Sequence, residues 1–428
     1  MTSTTPLRMV IGAGGTGGHI YPGLATADAV RALVPDADIS FSGTDRGLET
    51  TLVPAGGYPL RTVPMTPLAR TRDCNLALFP LHLVRSVRLA MRQLREDRVD
   101  VVLGMGGYPS IPVVLAARLA GIPCLVHESN AVPGRANLLA ALMTPHVATG
   151  FDPAHASWCR RGAFPSGGRE VRHLGIPLPS AVASADRRRD REEARAHFGV
   201  HAGQRFVIVS GGSQGAESLN RASFDLATRW ADRDDVRLLV KARAGQTDEA
   251  RRRLRATGGD RVADVVSYID RMDLAYVAAD AAVTRSGSAS VAELQHLGVP
   301  AVLVPYPHAP GDHQTHNARE LVDTGQARLV ADEHLTVDSL ERALDDLASS
   351  PAPAPSPRHV GAATGLAAWA VDLARAGRVR RGRVPWADSP ARWPSTTAAT
   401  PSASRLHASS APPSSPSTTT TPARKDHP

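Results

Sequence analysis

The stretch AVTRSGSASVAELQHLGVPAVLVPYPHAPGDHQTHN, residues 282–317, concentrates residue types that can hold a diphosphate and a diol. Ser286-Gly287-Ser288 reads as a turn between a short buried strand (279–283) and a helix carrying Val291, Leu294 and Leu297 on one face. Gly298 and Pro300 end that helix, and a second strand (301–304) follows. A strand–turn–helix leaves free N–H groups and the positive end of a helix dipole at one spot, which suits a diphosphate. Glu293, early in the helix, can accept hydrogen bonds from a diol such as a ribose. Gln314 and Asn317 open the next helix and can reach the same spot. An ordinary βαβ unit with a polar first turn would carry the same letters.

Three further loops carry chemistry. After a first strand (8–13), the run GAGGTGGHIYPG (12–23) opens a helix that extends to about residue 33. Gly12, Gly14 and Gly17 satisfy G-x-G-x-x-G, which raises an NAD-dependent oxidoreductase as one reading. Gly18, His19 and Pro22 then fall where a dinucleotide helix should already be packing. The second strand (37–42) is followed by Gly43 and Thr44, with Asp45 the nearest acid. A P-loop would need Gly-Lys-Ser/Thr, which is missing. GMGGYPS (104–110) follows a strand at 99–103, and HESNAVPG (127–134) follows one at 123–126; Ala131 excludes an HExxH zinc site. In a parallel sheet these loops share the carboxyl-terminal rim, where ligands bind. His19, whose unperturbed pKa is about 6.5, can take a proton from an acceptor hydroxyl, or it can simply hydrogen-bond backbone or phosphate.

The elements that must position these loops alternate helical and strand patterns over 428 residues, which argues α/β with parallel sheets and length enough for two cores. The pattern restarts after a Gly/Pro/Ala/Arg-rich run at 166–191. It continues with a strand (206–209), the loop SGGSQGA (210–216) and further strands at 236–240 and 262–267. The expected organisation is a first Rossmann-like domain at 7–165, a linker at 166–191 and a second Rossmann-like domain at 192–350. A linker and closing helix follow at 351–377, then a disordered Pro/Ser/Thr/Arg tail at 378–428, with a cleft between the two domains. Of the formal charge of +8, the residues from Ala376 onward carry +6, so the body is nearly neutral and nucleic acid is not an expected partner. Cys74, Cys124 and Cys159 are widely spaced, a reduced pattern with no CxxC. The amino terminus enters a strand at once, and no apolar run approaches the roughly 18 residues of a membrane span, so a cytoplasmic protein is expected. Residues 75–98 read as a helix, proper from Pro80, in which Leu and Val alternate with Arg85, Arg88, Arg92, Arg95 and Arg98. Its basic face is either simply solvated or lies against anionic lipid.

GGTGGHIYPGLA (14–25), GMGGYPS (104–110), HESNAVPGRAN (127–137), GGSQGA (211–216), SYIDRMDLAYVAAD (267–280), TRSGSASVAEL (284–294) and HQTHNA (313–318) occur in this order and spacing. Together, over about residues 9–347, they resemble the peptidoglycan N-acetylglucosaminyltransferase (MurG) family of the GT-B fold group. The resemblance implies transfer of N-acetylglucosamine from UDP-N-acetylglucosamine to undecaprenyl-diphosphate-N-acetylmuramoyl-pentapeptide (lipid I). That makes lipid II with inversion and without a metal or other cofactor, at the cytoplasmic side of the cell membrane, with the protein peripheral on an anionic lipid surface. It implies Thr16, Gly17 and Gly18 near the donor sugar, Asn130 across the cleft, Ser213 near the phosphate and Ile269 by the uracil. Ser288, Ala289, Ser290, Val291 and Ala292 would form the phosphate helix, with Glu293 on the ribose and Gln314 on the sugar hydroxyls. His19 is the expected base, and Gly106, Gly107, Tyr108, His127 and Glu128 fall on the acceptor side. One departure concerns the linker. The family usually has an arginine facing the diphosphate just after Gly-x-Pro, whereas Gly175-Ile176-Pro177-Leu178-Pro179 places a proline there. With proline there the diphosphate is expected to be held by neutral groups alone, namely Ser213, the loop amides and the amino terminus of the Ser288 helix; the rival reading is that Arg187, Arg188 or Arg189 folds back into the role.

Overall fold

The computed structural model describes residues 6–65, 75–161, 168–212 and 216–380. Parallel strands covered on both faces need near-continuous apolar runs, and the chain supplies RMVIG, VVLG, RFVIVS and VRLLVK at the strand positions. The first sheet contains β1 (Arg8–Gly12), β2 (Asp38–Gly43), β3 (Leu60–Thr62), β4 (Val101–Gly104), β5 (Cys124–Glu128), β6 (His146–Thr149) and β7 (Glu170–His173). Its spatial order is β3-β2-β1-β4-β5-β6-β7 and every pairing is parallel. The second contains β8 (Arg205–Ser210), β9 (Val236–Lys241), β10 (Ala263–Val266), β11 (Ala281–Thr284), β12 (Ala301–Leu303) and β13 (Ala327–Leu329), in the order β10-β9-β8-β11-β12-β13, again all parallel. In both sheets the order reverses beside the first strand, the switch point at which α/β sheets open a crevice. The α/β expectation of two Rossmann-like halves holds.

The boundaries differ in three places. Residues 170–173, expected inside a linker, form β7, because Val147, Ala148 and Thr149 of β6 offer a free edge that Glu170–His173 completes. The crossover after it is well packed: Ile176, Leu178 and Val182 are buried with Ala131 and Phe151 in the core of the second half. Gly175 takes φ +85° there, where a Cβ would meet the Arg358 carbonyl oxygen at 2.9 Å. The closing helix Ala362–Arg380 runs past 377 and returns to the first half, packing on the Gly17–Leu33 helix and burying Leu366, Trp369, Ala370 and Ala374 in its core. Arg378, expected in the tail, ties that helix to Asp100 at 2.8 Å. The rest of the expected tail and Cys74 lie outside the described residues.

Candidate active site

On the rim of the first sheet, β1 and β4 end in register at Gly12 and Gly104, with β5 next to them. The loop after β1 is held from beneath by Glu49, a fully buried carboxylate that sequence reasoning missed. Its Oε2 accepts the Gly15 N–H at 2.9 Å; its Oε1 accepts the Thr44 N–H at 2.9 Å and the Thr44 hydroxyl at 2.7 Å. Burial pushes its pKa up, but these bonds outweigh that and hold the carboxyl below its ordinary value. A Cβ at Gly14 would meet Glu49 Oε1 at 2.7 Å, so the glycine is what lets the carboxylate reach the loop. The only signal for this role was an acid in the first turn of a short helix, Glu49–Ala55.

The Gly17–Leu33 helix starts within the motif and takes His19 and Pro22 into its first turns. Thr16 is its N-cap, yet the Thr16 hydroxyl makes no capping bond, so the amides of Gly17 and Gly18 remain available. Pro22 has no N–H, which deprives the Gly18 carbonyl of its helical donor at the same rim. The half-buried His19 ring has Nδ1 3.2 Å from Thr16 Oγ1. It lies over the Gly106-Gly107 turn, whose φ angles are +93° and +76°; a Cβ at Gly106 would meet His19 Cδ2 at 3.1 Å. Burial and the nearby His313 hold the His19 pKa down to about 4, against a hydrogen bond to Gly14 that raises it. His19 is therefore a neutral imidazole at cytosolic pH, a lower value than the unperturbed one expected. Tyr108 is half-buried, its ring 3.7 Å from where a Cβ of Gly15 would stand.

His127 and Glu128, expected on the acceptor side, are both wholly buried and shape loops instead. His127 Nε2–H donates to the Gly175 carbonyl at 2.9 Å, which leaves Nδ1 to accept from Ser129 Oγ at 3.0 Å. Glu128 gathers the Asn130 and Gly134 amides, each at 2.9 Å, and Asn137 Nδ2 at 3.0 Å. These bonds fix the half-buried Asn130, whose Oδ1 accepts from Asn317 Nδ2 at 3.3 Å. Asn317, wholly buried, also accepts the Ala131 N–H at 2.8 Å and donates to the Ser286 carbonyl at 3.2 Å, so it joins the loop after β5 to the rim of the second sheet.

Facing these loops, the Ser288–Leu297 helix begins at the end of β11, with Gly287 as its cap. The Val291 N–H bonds back to Gly287, while Val291 and Ala292 are fully buried in the core. Ser288, Ala289 and Ser290 are thus the positions whose amides have no helical partner, whereas the side chains of Val291 and Ala292, expected with them at the phosphate, pack in the core. Glu293 Oε2 accepts the Tyr276 hydroxyl at 3.0 Å, and burial pushes its pKa up to about 7 against that bond. Ile269 is 7% exposed and packed in the core, so its side chain is not on the surface; its neighbour Tyr268 is 52% exposed. Tyr268 Oη lies 3.4 Å from Tyr21 Oη of the first helix, a contact across the cleft that no motif announced. Gln314 is half-buried, and its Oε1 accepts the Tyr306 N–H at 2.9 Å. Ser213 lies outside the described residues.

Neither Arg187 nor Arg189 folds back to this rim. Arg187 donates to the carbonyls of Gly298, at the far end of the Ser288–Leu297 helix, and Ala279, ahead of β11. Arg189 pairs with Asp190 at 2.6 Å. The Arg187 bonds lie at the amino-terminal ends of β11 and β12, opposite the rim.

The chain matches two family models, the glycosyltransferase family 28 N-terminal domain at residues 9–149 and its C-terminal domain at 206–365. It is 41% identical over 332 residues to a Nocardioides protein named UDP-N-acetylglucosamine--N-acetylmuramyl-(pentapeptide) pyrophosphoryl-undecaprenol N-acetylglucosamine transferase, covering 78% of this chain and 87% of that relative. A Saccharopolyspora erythraea protein of the same name is 44% identical over 329 residues, 77% of this chain and 82% of its own length. Among solved structures, Acinetobacter baumannii MurG superposes with a TM-score of 0.59 at 25% identity, over 86% of this chain and all of that one. A UDP-glucosyltransferase from Polygonum tinctorium, at 14% identity and a TM-score of 0.58 over 88% of this chain and 95% of its own, shares the fold.

Proposed function

This chain belongs to glycosyltransferase family 28, and from that premise we propose that it transfers N-acetylglucosamine from UDP-N-acetylglucosamine to lipid I in peptidoglycan synthesis. The observation that carries the reading is the juxtaposition of two unlike rims on one cleft. A neutral imidazole sits over a glycine turn on one side; a carboxylate and a helix amino terminus sit on the other, and Asn317 links the two. The NAD-dependent alternative finds no support in this family.

In the reaction, the acceptor hydroxyl oxygen attacks the anomeric carbon as the bond from that carbon to the UDP oxygen breaks. His19 takes the hydroxyl proton, and the leaving diphosphate keeps the electron pair. The amides of Ser288, Ala289 and Ser290, at the positive end of the helix, meet the charge that grows on the diphosphate. Glu293 receives the ribose hydroxyls, while Gln314 and the loop at Thr16–Gly18 hold the sugar. A pKa of about 4 makes His19 by itself a weak base. An acceptor diphosphate nearby stabilises the imidazolium and raises it toward a useful value. Acceptor contacts fall to the Gly106-Gly107-Tyr108 turn, with His127 and Glu128 acting through the loops they fix.

The acceptor is a membrane lipid, so the protein works at the membrane. Among the described residues no helix is long and apolar enough to cross it. The helix Asn75–Glu96 exposes Leu81 and Val84 beside Arg85 and Arg88 while burying Val87, Ala90 and Leu94. Apolar tips flanked by arginines suit the anionic cytoplasmic leaflet. The test is UDP release from UDP-N-acetylglucosamine on addition of lipid I, with and without chelator. Acceptor-dependent release is expected, and thermal stabilisation by UDP-N-acetylglucosamine but not by NAD. Stabilisation by NAD alone would refute the reading.

A further inference from the structure

The leaving group carries a diphosphate, yet Pro179 caps a short helix where an arginine is expected, and Arg187 and Arg189 are committed elsewhere. Arg285, on the rim just after β11, is committed too: its Nη1 pairs with Asp332 at 2.5 Å and its Nη2 donates to Ser218. Lys241 differs from these. It is the last residue of β9, paired in register with Ser210, so it stands on the rim directly beside the Gly211-Gly212 loop. Its Nζ donates to the Gly212 carbonyl at 3.2 Å and lies 5.6 Å from the centre of the Tyr268 ring. No carboxylate among the described residues pairs with it. Among the described residues one of its three N–H donors is engaged, and burial, which lowers its pKa, deprives the ammonium of water.

The chain's usage makes the residue more telling. Of 49 basic residues, only Lys241 and Lys425 are lysine and the rest are arginine. The described residues therefore contain a single lysine, placed where a compact charge on a swivelling stem can turn from a carbonyl to an anion. Arginine's planar fork is larger and fixed in geometry. Resting on the donor assignment above, we propose that Lys241 is the cation that contacts the donor diphosphate, in place of the missing linker arginine. The Gly212 carbonyl and the Tyr268 ring hold its ammonium beside the proposed diphosphate position.

The test is calorimetric titration of the full chain, unmodified, Lys241→Gln and Lys241→Arg, with UDP and separately with uridine. Losing a charge-assisted contact should weaken UDP binding by Lys241→Gln at least about tenfold. It should also flatten the dependence of UDP affinity on salt, and leave uridine affinity unchanged. Unchanged uridine binding also shows that the variant is folded. Lys241→Arg should recover part of the UDP affinity, because charge returns without the geometry. If Lys241→Gln binds UDP as the unmodified chain does, or loses UDP and uridine equally, Lys241 does not meet the diphosphate and the inference falls while the donor assignment stands. If the unmodified chain binds neither UDP nor UDP-N-acetylglucosamine, the donor assignment falls and takes this inference with it.

Discussion

Glu293 offers the sharpest quantitative test, because the environment that suits it to a ribose also displaces its titration. Burial sets its pKa at about 7, so the carboxylate is about nine-tenths formed at pH 8 and about one-tenth formed at pH 6. A ribose diol donates two hydrogen bonds to the ionised form, whereas the protonated acid keeps a donor of its own and accepts poorly. Affinity for UDP-N-acetylglucosamine should therefore fall about tenfold from pH 8 to pH 6. That ligand gains no proton over this range, and His19 and His127, held to about 4, do not titrate there. Glu293→Gln should abolish the slope, and at pH 8 it should weaken binding by about 1.5–3 kcal/mol, the worth of a hydrogen bond to a charged group. The unliganded protein should respond oppositely. A folded-state pKa above the ordinary 4.5 means the folded form holds its proton more tightly, so the penalty for burying the carboxylate grows as pH rises from about 4.5 to about 7. Glu293→Gln should thus melt higher than the unmodified chain at pH 8 and gain nothing at pH 4. Titration calorimetry and thermal melts read both effects. Affinity that is flat between pH 6 and 8 would refute the assignment of Glu293 to the ribose.

The remaining expectations follow from single contacts. Gly106→Ala places a Cβ 3.1 Å from His19 Cδ2 at φ +93°, so kcat should drop by an order of magnitude or more, approaching the roughly 10²–10⁴-fold loss of His19→Ala; UDP affinity, measured in parallel, should hold. Glu49→Gln should destabilise the chain to urea by about 1–3 kcal/mol at neutral pH. Its carboxyl is held below the ordinary value, so this difference should shrink as pH falls below about 4.5 and vanish once pH is below the depressed folded-state value; an equal loss at that low pH would deny the carboxylate its role. Arg187→Gln should lower the melting temperature through its lost bonds to Gly298 and Ala279 and leave UDP affinity untouched; weaker UDP binding would return Arg187 to the diphosphate. Arg85→Gln with Arg88→Gln should weaken flotation with anionic vesicles by about 1 kcal/mol per charge, and unaltered flotation would make that face merely solvated.

Much of the architecture was legible because parallel strands and glycine loops are local signals. Strands buried on both faces leave apolar runs, so β1, β4, β8 and β9 stood out, and the loops at the ends of β1, β4 and β5 fell on one rim as their order required. The edge strand β7 did not stand out. At an edge, Glu170, Val171, Arg172 and His173 need little burial, and their mixed character resembled the Gly/Pro-rich run around them. Val291 and Ala292 show the converse limit. A motif marks where a ligand-binding helix starts, but the 3.6-residue turn decides which of its residues face the core.

The residues that sequence reading passed over share a different cause: each acts through a contact far along the chain. Tyr21 meets Tyr268, Glu49 supports Gly15, and Lys241 leans on Gly212. None sits in a spacing that betrays its partner. The crossover shows why such contacts matter for chemistry. His127 donates to the Gly175 carbonyl; the next amide, Ile176 N–H, is accepted by His359 Nδ1 at 3.1 Å; and His359 Nε2–H reaches Gln295 Oε1 at 2.9 Å. Gln295 is two residues beyond Glu293 on the same helix. Burial holds both histidines neutral, at about 4 and about 3, so each can donate from one nitrogen and accept at the other. A loop on the imidazole side of the cleft is thereby tied, through three buried links, to the helix that presents the carboxylate. With His19 as the proposed base and Glu293 as the proposed ribose acceptor, transfer needs their separation held to a fraction of an ångström, and rigid elements joined by satisfied buried bonds supply that where motifs alone cannot.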